Sequence, residues 1–330
     1  MNNVCQREVS RFVRFLKDWT LLVCMAVGAL GYYLLRLTPA LAPLRHPANV
    51  ISARLLPVMI FVMLFITFIK IDVRSYRLRP WHAVLLVFQI GLAGLLAWCV
   101  AVHPGARWLS GAEGAFCCVA CPTATAASVV VRKLGGNVPT ITTYILLSSF
   151  VSAVALPLFL PLMEHDSHLR FLSLCLLILR RVTPTLIAPF LLATLIRWAW
   201  PRLGRRLADV TRDAAFYLWG FTLTILMAQT IHSVYGSHVG GTHVLLAAGV
   251  GLAAASLLFF AGRRAGLWFG DVVSCTQGLG QKNTSIAVWV CLSYLSPLAA
   301  VVPGSYIVWQ NVFNSWQLWR RAHAAPTPAH

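Results

Sequence analysis

The stretch QGLGQKNTSIAVWV, residues 277–290, sets glycines, amides and one lysine inside an otherwise apolar run with no neighbouring acid. The run around it, residues 268–293, is long enough to cross a bilayer as a helix, which places Lys282 near mid-depth. A charged side chain there costs about 2.5–3.5 kcal/mol even on the lenient insertion scale. Snorkelling does not relieve that cost. About 11 helical residues to Ser293 correspond to roughly 16 Å, well beyond the reach of a lysine stem. The segment therefore reads as a membrane helix broken at its centre.

The composition fits that reading. Of 330 residues, 58% are hydrophobic and 11% charged, and the mean hydropathy is +0.74, too apolar for an ordinary soluble domain. The 27 bases against nine acids would suggest nucleic-acid binding in a soluble protein, but here they fall between long apolar segments and report topology. No nucleic-acid partner is expected; the lipid bilayer is. Ten segments satisfy the length rule, at residues 19–37, 51–71, 81–102, 111–131, 138–163, 182–200, 214–234, 242–261, 268–293 and 295–316. SHLRFLSLCLLILRR, residues 167–181, is bracketed by arginines and too short to cross alone, which predicts a separate interfacial helix. With ten spans, 19 of the 27 bases share one side with both termini, seven lie opposite, and Lys282 remains. The positive-inside rule then predicts a multi-pass inner-membrane protein with both termini cytoplasmic. Residues 1–19 read as a basic arm retained on that side, since no small-residue cleavage site follows.

Segment starts in the first half recur in the second at an offset of about 160 residues, and five spans is an odd number. Residues 1–165 and 166–330 are thus expected to be two inverted five-helix repeats. Segments four and nine are the two with clustered Pro, Gly and small polar residues at mid-depth, CPTATAAS at 121–128 and QGLGQKNT at 277–284, and they correspond between the halves. Paired broken helices mark a transporter's binding site, so Thr123, Thr125, Ser128, Gln277, Gln281, Lys282, Asn283 and Thr284 are the candidate substrate or ion ligands. Such polar groups also serve simply to join helices. The nine acids all lie in loops or near segment ends. Lys282 is therefore expected to meet backbone carbonyls, a neutral side chain or a bound anion, or to be a neutral amine needing no counter-charge. A half-helix starting near Asn283 adds a positive dipole end to the same spot. Cys118 and Cys121 have metal-ligand spacing without further ligands, so no metal or cofactor is expected. No nucleophile triad or phosphate loop is present, which argues against an enzyme.

CPTATAASVVVRKLGGN, residues 121–137, and GQKNTSIAVWVCLSYLSPLAAVVPGSYIVWQNVFNS, residues 280–315, resemble the bile acid:sodium symporter superfamily. The resemblance is specific in these two stretches and loose over the rest of the chain. It implies an all-α polytopic fold with a core domain of spans 3–5 and 8–10, a panel domain of spans 1–2 and 6–7, and broken helices 4 and 9 that cross. Sodium-coupled members carry Ser-Asn after the first break, and a Glu followed four residues later by Gln-Asn at the second. Here those positions read Ala127 and Ser128, then Gly278, Lys282 and Asn283. The anionic ligand is gone and a fixed cation stands where sodium would need oxygens; two unit charges about 4 Å apart repel by about 4 kcal/mol at an effective dielectric of 20. The expectation is a secondary transporter of a small or amphipathic organic anion, independent of sodium, with Lys282 replacing the ion. A sodium-coupled symporter and a non-transporting membrane sensor or structural protein are the alternatives.

Overall fold

The computed structural model describes residues 20–70, 77–106, 108–163, 171–211, 214–236 and 240–323; the arm expected over residues 1–19 lies outside them. Among the described residues, thirteen α-helices run in the order α1 (Thr20–Leu37), α2 (Ala42–Ile69), α3 (Pro80–Val102), α4 (Leu109–Ala120), α5 (Ala127–Lys133), α6 (Val138–Met163), α7 (Phe171–Ala199), α8 (Pro201–Val210), α9 (Ala214–Gly236), α10 (Gly241–Phe269), α11 (Val272–Gly280), α12 (Thr284–Tyr294) and α13 (Val301–His323). Five stretches, Pro39–Ile69, Pro80–Val102, Val138–Met163, Phe171–Ala199 and Gly241–Phe269, are each long and apolar enough to cross a bilayer. The chain is an all-α, membrane-embedded protein.

Local chemistry sets the helix ends. Pro80 and Pro201 open α3 and α8 at the first turn, where a missing N–H costs nothing. Gly270, at φ 72°, stops α10 in the left-handed conformation that glycine adopts without penalty. Asp271 then caps α11, accepting from the Ser274 amide at 3.1 Å and the Thr140 hydroxyl at 3.3 Å. Asp271→Ala is expected to lower stability by about 1–2 kcal/mol, the cost of a lost cap, read as thermal unfolding in detergent.

Two expected boundaries are corrected. Of the separate interfacial helix expected over residues 167–181, residues 167–170 lie outside the described residues, and 171–181 instead form the first turns of α7, which continues through Pro184 and Pro189 to Ala199. Nothing between Phe171 and Arg180 terminates a helix, and α7 packs along α6 and α2 with Thr183 donating to Ala153 O at 3.0 Å. The amphipathic helix of this region is α8, PRLGRRLADV, which exposes Arg202, Arg205 and Arg206 and turns Gly204 inward. The second correction is at residues 242–261, where α10 runs on to Phe269, so Arg263 and Arg264 are helical and only two residues separate α10 from α11.

Packing places the interrupted helices at the centre. α1 lies on α9, and α2 lies on α7 and α9. α4 contacts α3, α10, α12 and α13, while α11 contacts α10, α6, α5 and α3. α10 and α11 approach closely because α10 presents Gly262 and Gly266: a Cβ on Gly262 would lie 2.6 Å from Cys275 O, and one on Gly266 2.5 Å from Val272 Cα. This is the small-xxx-small device by which membrane helices bring their backbones together.

Candidate functional site

Pro122 ends α4, and Cys121 before it is extended at φ −68°, ψ 152°, as a residue preceding proline prefers. α11 ends at Gln281, and α12 restarts at Thr284 with Asn283 as its cap, its Oδ1 accepting from the Ile286 amide at 3.4 Å. The two gaps run antiparallel. Ala124 N donates to Gln281 O and Asn283 N to Pro122 O, each at 2.8 Å, leaving Thr123 and Lys282 opposite one another between them.

A break inside a membrane protein frees backbone groups that must find partners within the protein or in a wet cavity. Here protein supplies them. Lys282 Nζ donates to Val119 O at 3.0 Å and Cys121 O at 3.2 Å. Gln89 Nε2 adds donations to Ala120 O and Cys121 O at 3.3 Å each, and Ser152 donates to Ala120 O at 2.6 Å. Thr123 donates its hydroxyl to Gly278 O at 2.5 Å and its amide to Ser148 Oγ at 3.1 Å. Tyr306 donates to Gly280 O at 2.5 Å, and Lys282 N to Gln310 Oε1 at 3.2 Å.

Lys282 is 0% exposed. Its ammonium sits on the last carbonyls of α4, the negative end of that half-helix, so the dipole favours the cation. No ion pair accompanies it among the described residues. Glu113, also buried, lies six residues before Val119, about 9 Å along α4, and accepts from Ser296 Oγ at 2.6 Å.

Of the eight candidates, Thr123, Gln281, Lys282, Asn283 and Thr284 are buried at the crossing. Gln277 is buried but turns toward α13, donating to Asn314 Oδ1 at 3.0 Å and Gln317 Oε1 at 3.2 Å. Thr125 and Ser128 are partly exposed, and the Ser128 hydroxyl returns to Thr125 O at 2.9 Å. Sequence reasoning missed Gln89, Ser148, Ser152, Tyr306 and Gln310. A signal existed for the amides: Gln89 is the one amide in α3, and Gln310, Asn314 and Gln317 recur at helical spacing on α13. Four buried polar atoms, Trp81 Nε1, Gln277 Oε1, Gln281 Oε1 and Asn314 Nδ2, have no hydrogen-bond partner among the described residues. Cys118 and Cys121 are buried free thiols, and among the described residues no three His, Cys, Asp or Glu side chains gather as metal ligands.

Gly278 faces Tyr144: a Cβ there would lie 3.0 Å from Tyr144 Cδ1 and 3.4 Å from Ile141 Cδ1. A side chain at this position requires the Tyr144 ring to give way by a few tenths of an ångström. The arrangement thus offers a buried lysine amine, satisfied by carbonyls, at the junction of four half-helices. No protein-family model matches the chain, and no curated protein matches it.

Proposed function

We propose that this protein is a secondary transporter of a small or amphipathic organic anion, working by alternating access, in which Lys282 takes the place of a coupling sodium ion. The observation that carries this reading is the buried ammonium donating to Val119 O and Cys121 O where two interrupted helices pair. Carbonyl oxygens at a helix break are what a metal cation would ligate; here a side-chain cation uses them. The absence of a carboxylate at Gly278 argues against a carboxylate-assisted sodium site. Under this reading the ten segments form two inverted repeats, α1, α2, α7 and α9 move against the remaining helices, and both termini are cytoplasmic. Mutual contacts of α1, α2, α7 and α9 favour that division. The buried orphan atoms on Gln277, Gln281 and Asn314 are groups for which a second conformation would supply partners.

Uptake of labelled amphipathic carboxylates or sulfonates into proteoliposomes is expected to be saturable and unchanged when sodium is replaced by potassium on both sides. A rise with an inward sodium gradient would establish the sodium-coupled alternative. Absence of uptake across a broad anion panel, with the folded protein present, would favour a sensor or structural role, to which the close packing around Lys282 also lends itself.

A further inference from the structure

A cavity of about 360 Å³ opens where α10, α11 and α13 come together beside the end of α5. Its lining combines Arg263, Arg320 and Arg321 with Phe259, Phe313 and Trp316, and includes no acidic residue. The nearest acid in sequence, Asp271, has both carboxylate oxygens engaged by Ser274 and Thr140. Arg132 and Lys133 close α5 next to Leu134, another lining residue, so the surrounding charge is also basic. Arg321 reaches into the turn after α5. A Cβ on Gly135 would lie 2.6 Å from Arg321 Nη2, so the left-handed glycine at φ 74° makes room for the guanidinium. Arg320 stacks over Trp316 at 5.7 Å, which holds it at the rim.

The cavity lies at the helix ends, where the bilayer meets water. Trp268, Trp316 and Phe260 are exposed there at 79%, 51% and 62%, as residues of an interfacial aromatic belt are. We infer that this cavity binds the phosphate headgroup of an anionic phospholipid. Arg263, Arg320 and Arg321 receive the phosphate, and the acyl chains leave across the exposed faces of Phe260 and Trp316. Two features select this occupant. Arginine forks match phosphate oxygens and here have no competing carboxylate. The apolar rim continues onto lipid-facing surface, which a freely soluble phosphate would not use, and basic pockets between membrane helices are a recurrent place for anionic headgroups. The site is separate from the Lys282 junction but touches it: Gln317 lines the cavity and accepts from Gln277 of α11. The lipid would therefore brace α11 against α10 and α13.

The test is native mass spectrometry of the full chain released from detergent micelles, titrated with phosphatidylglycerol, phosphatidylcholine, or inorganic phosphate. Phosphatidylglycerol is expected to be retained as a one-to-one adduct and phosphatidylcholine not. At about a fivefold contribution per arginine, the double variant Arg320→Gln/Arg321→Gln weakens retention by roughly twenty-fivefold. The single variant Arg263→Gln, at an exposed position that does not threaten folding, weakens it about fivefold. Arg205→Gln/Arg206→Gln on α8, which removes the same charge elsewhere, leaves it unchanged. Equal retention of the two lipids, or no loss in Arg263→Gln, overturns the proposal. Competition by inorganic phosphate at concentrations equal to the lipid would assign the cavity to a soluble anion and overturn the lipid assignment.

Discussion

Under the proposed transport function, Lys282→Met is expected to slow anion uptake tenfold or more in protein that still folds. Two magnitudes decide the folding outcome. The substitution removes two charge-assisted hydrogen bonds, to Val119 O and Cys121 O, each worth about 1.5–3 kcal/mol. It also removes a buried charge that costs about 2.5–3.5 kcal/mol at mid-depth. Methionine fills most of the stem, so the net destabilisation is about 1–2 kcal/mol, a modest fall in melting temperature. The functional outcome follows from what is left behind. Among the described residues Val119 O has no other donor at the break, and the negative end of α4 is left without the lysine amine. Under the proposed alternating-access mechanism the junction changes partners between inward- and outward-facing states and then loses an interaction specific to one of them, and a single charge-assisted hydrogen bond suffices for tenfold or more. Normal uptake by folded Lys282→Met would reduce Lys282 to a structural tie.

The second large effect is at Gly262. Leucine there is expected to cost at least about 3 kcal/mol, the upper end of overpacking penalties, because the added Cβ meets backbone rather than a side chain that could turn aside. Its neighbours are Cys275 O at 2.6 Å, Thr276 Cα at 3.1 Å and Cys275 C at 3.2 Å, all on α11. Displacing α11 moves Gly278, Gly280 and Gln281, whose carbonyls receive Thr123, Tyr306 and Ala124, so the helix junction loosens as well. The matched control is Gly249→Leu on the same helix, where nothing lies within 4 Å of the added carbon and stability should hardly change. Thermal unfolding of both variants in one detergent separates the outcomes; equal melting temperatures would mean that α10 and α11 do not pack through Gly262.

The sequence by itself determines the elements whose signals are local. Residues 138–163 read as one apolar span and form α6 over Val138–Met163, because neither Pro157 nor Pro161 is joined by glycine or charge to stop the helix. Pro122 and the glycines at 278 and 280 likewise announce that residues 121–128 and 277–284 cannot be continuous helix in hydrocarbon. The expectation that Lys282 is buried within an interrupted apolar run follows from counting residues, and the structure shows it buried between α11 and α12. Residues 171–181 mislead for the same local reason: flanking arginines resemble an interfacial helix, whereas the absence of any breaker before Pro184 lets α7 run on.

What only the tertiary structure decides is who satisfies whom. Gln89, Ser148, Ser152 and Gln310 reach the break from α3, α6 and α13, separated from it by tens of residues, and no periodicity in the sequence pairs a side chain on one helix with a carbonyl on another. That the Lys282 ammonium faces the end of α4, that Gln277 turns to α13, and that Gly262 meets Cys275 O all depend on how helices cross. The physical reason is that the apolar pattern fixes depth in the bilayer, while hydrogen bonding between helices is set by rotation and approach, which small residues permit but do not specify.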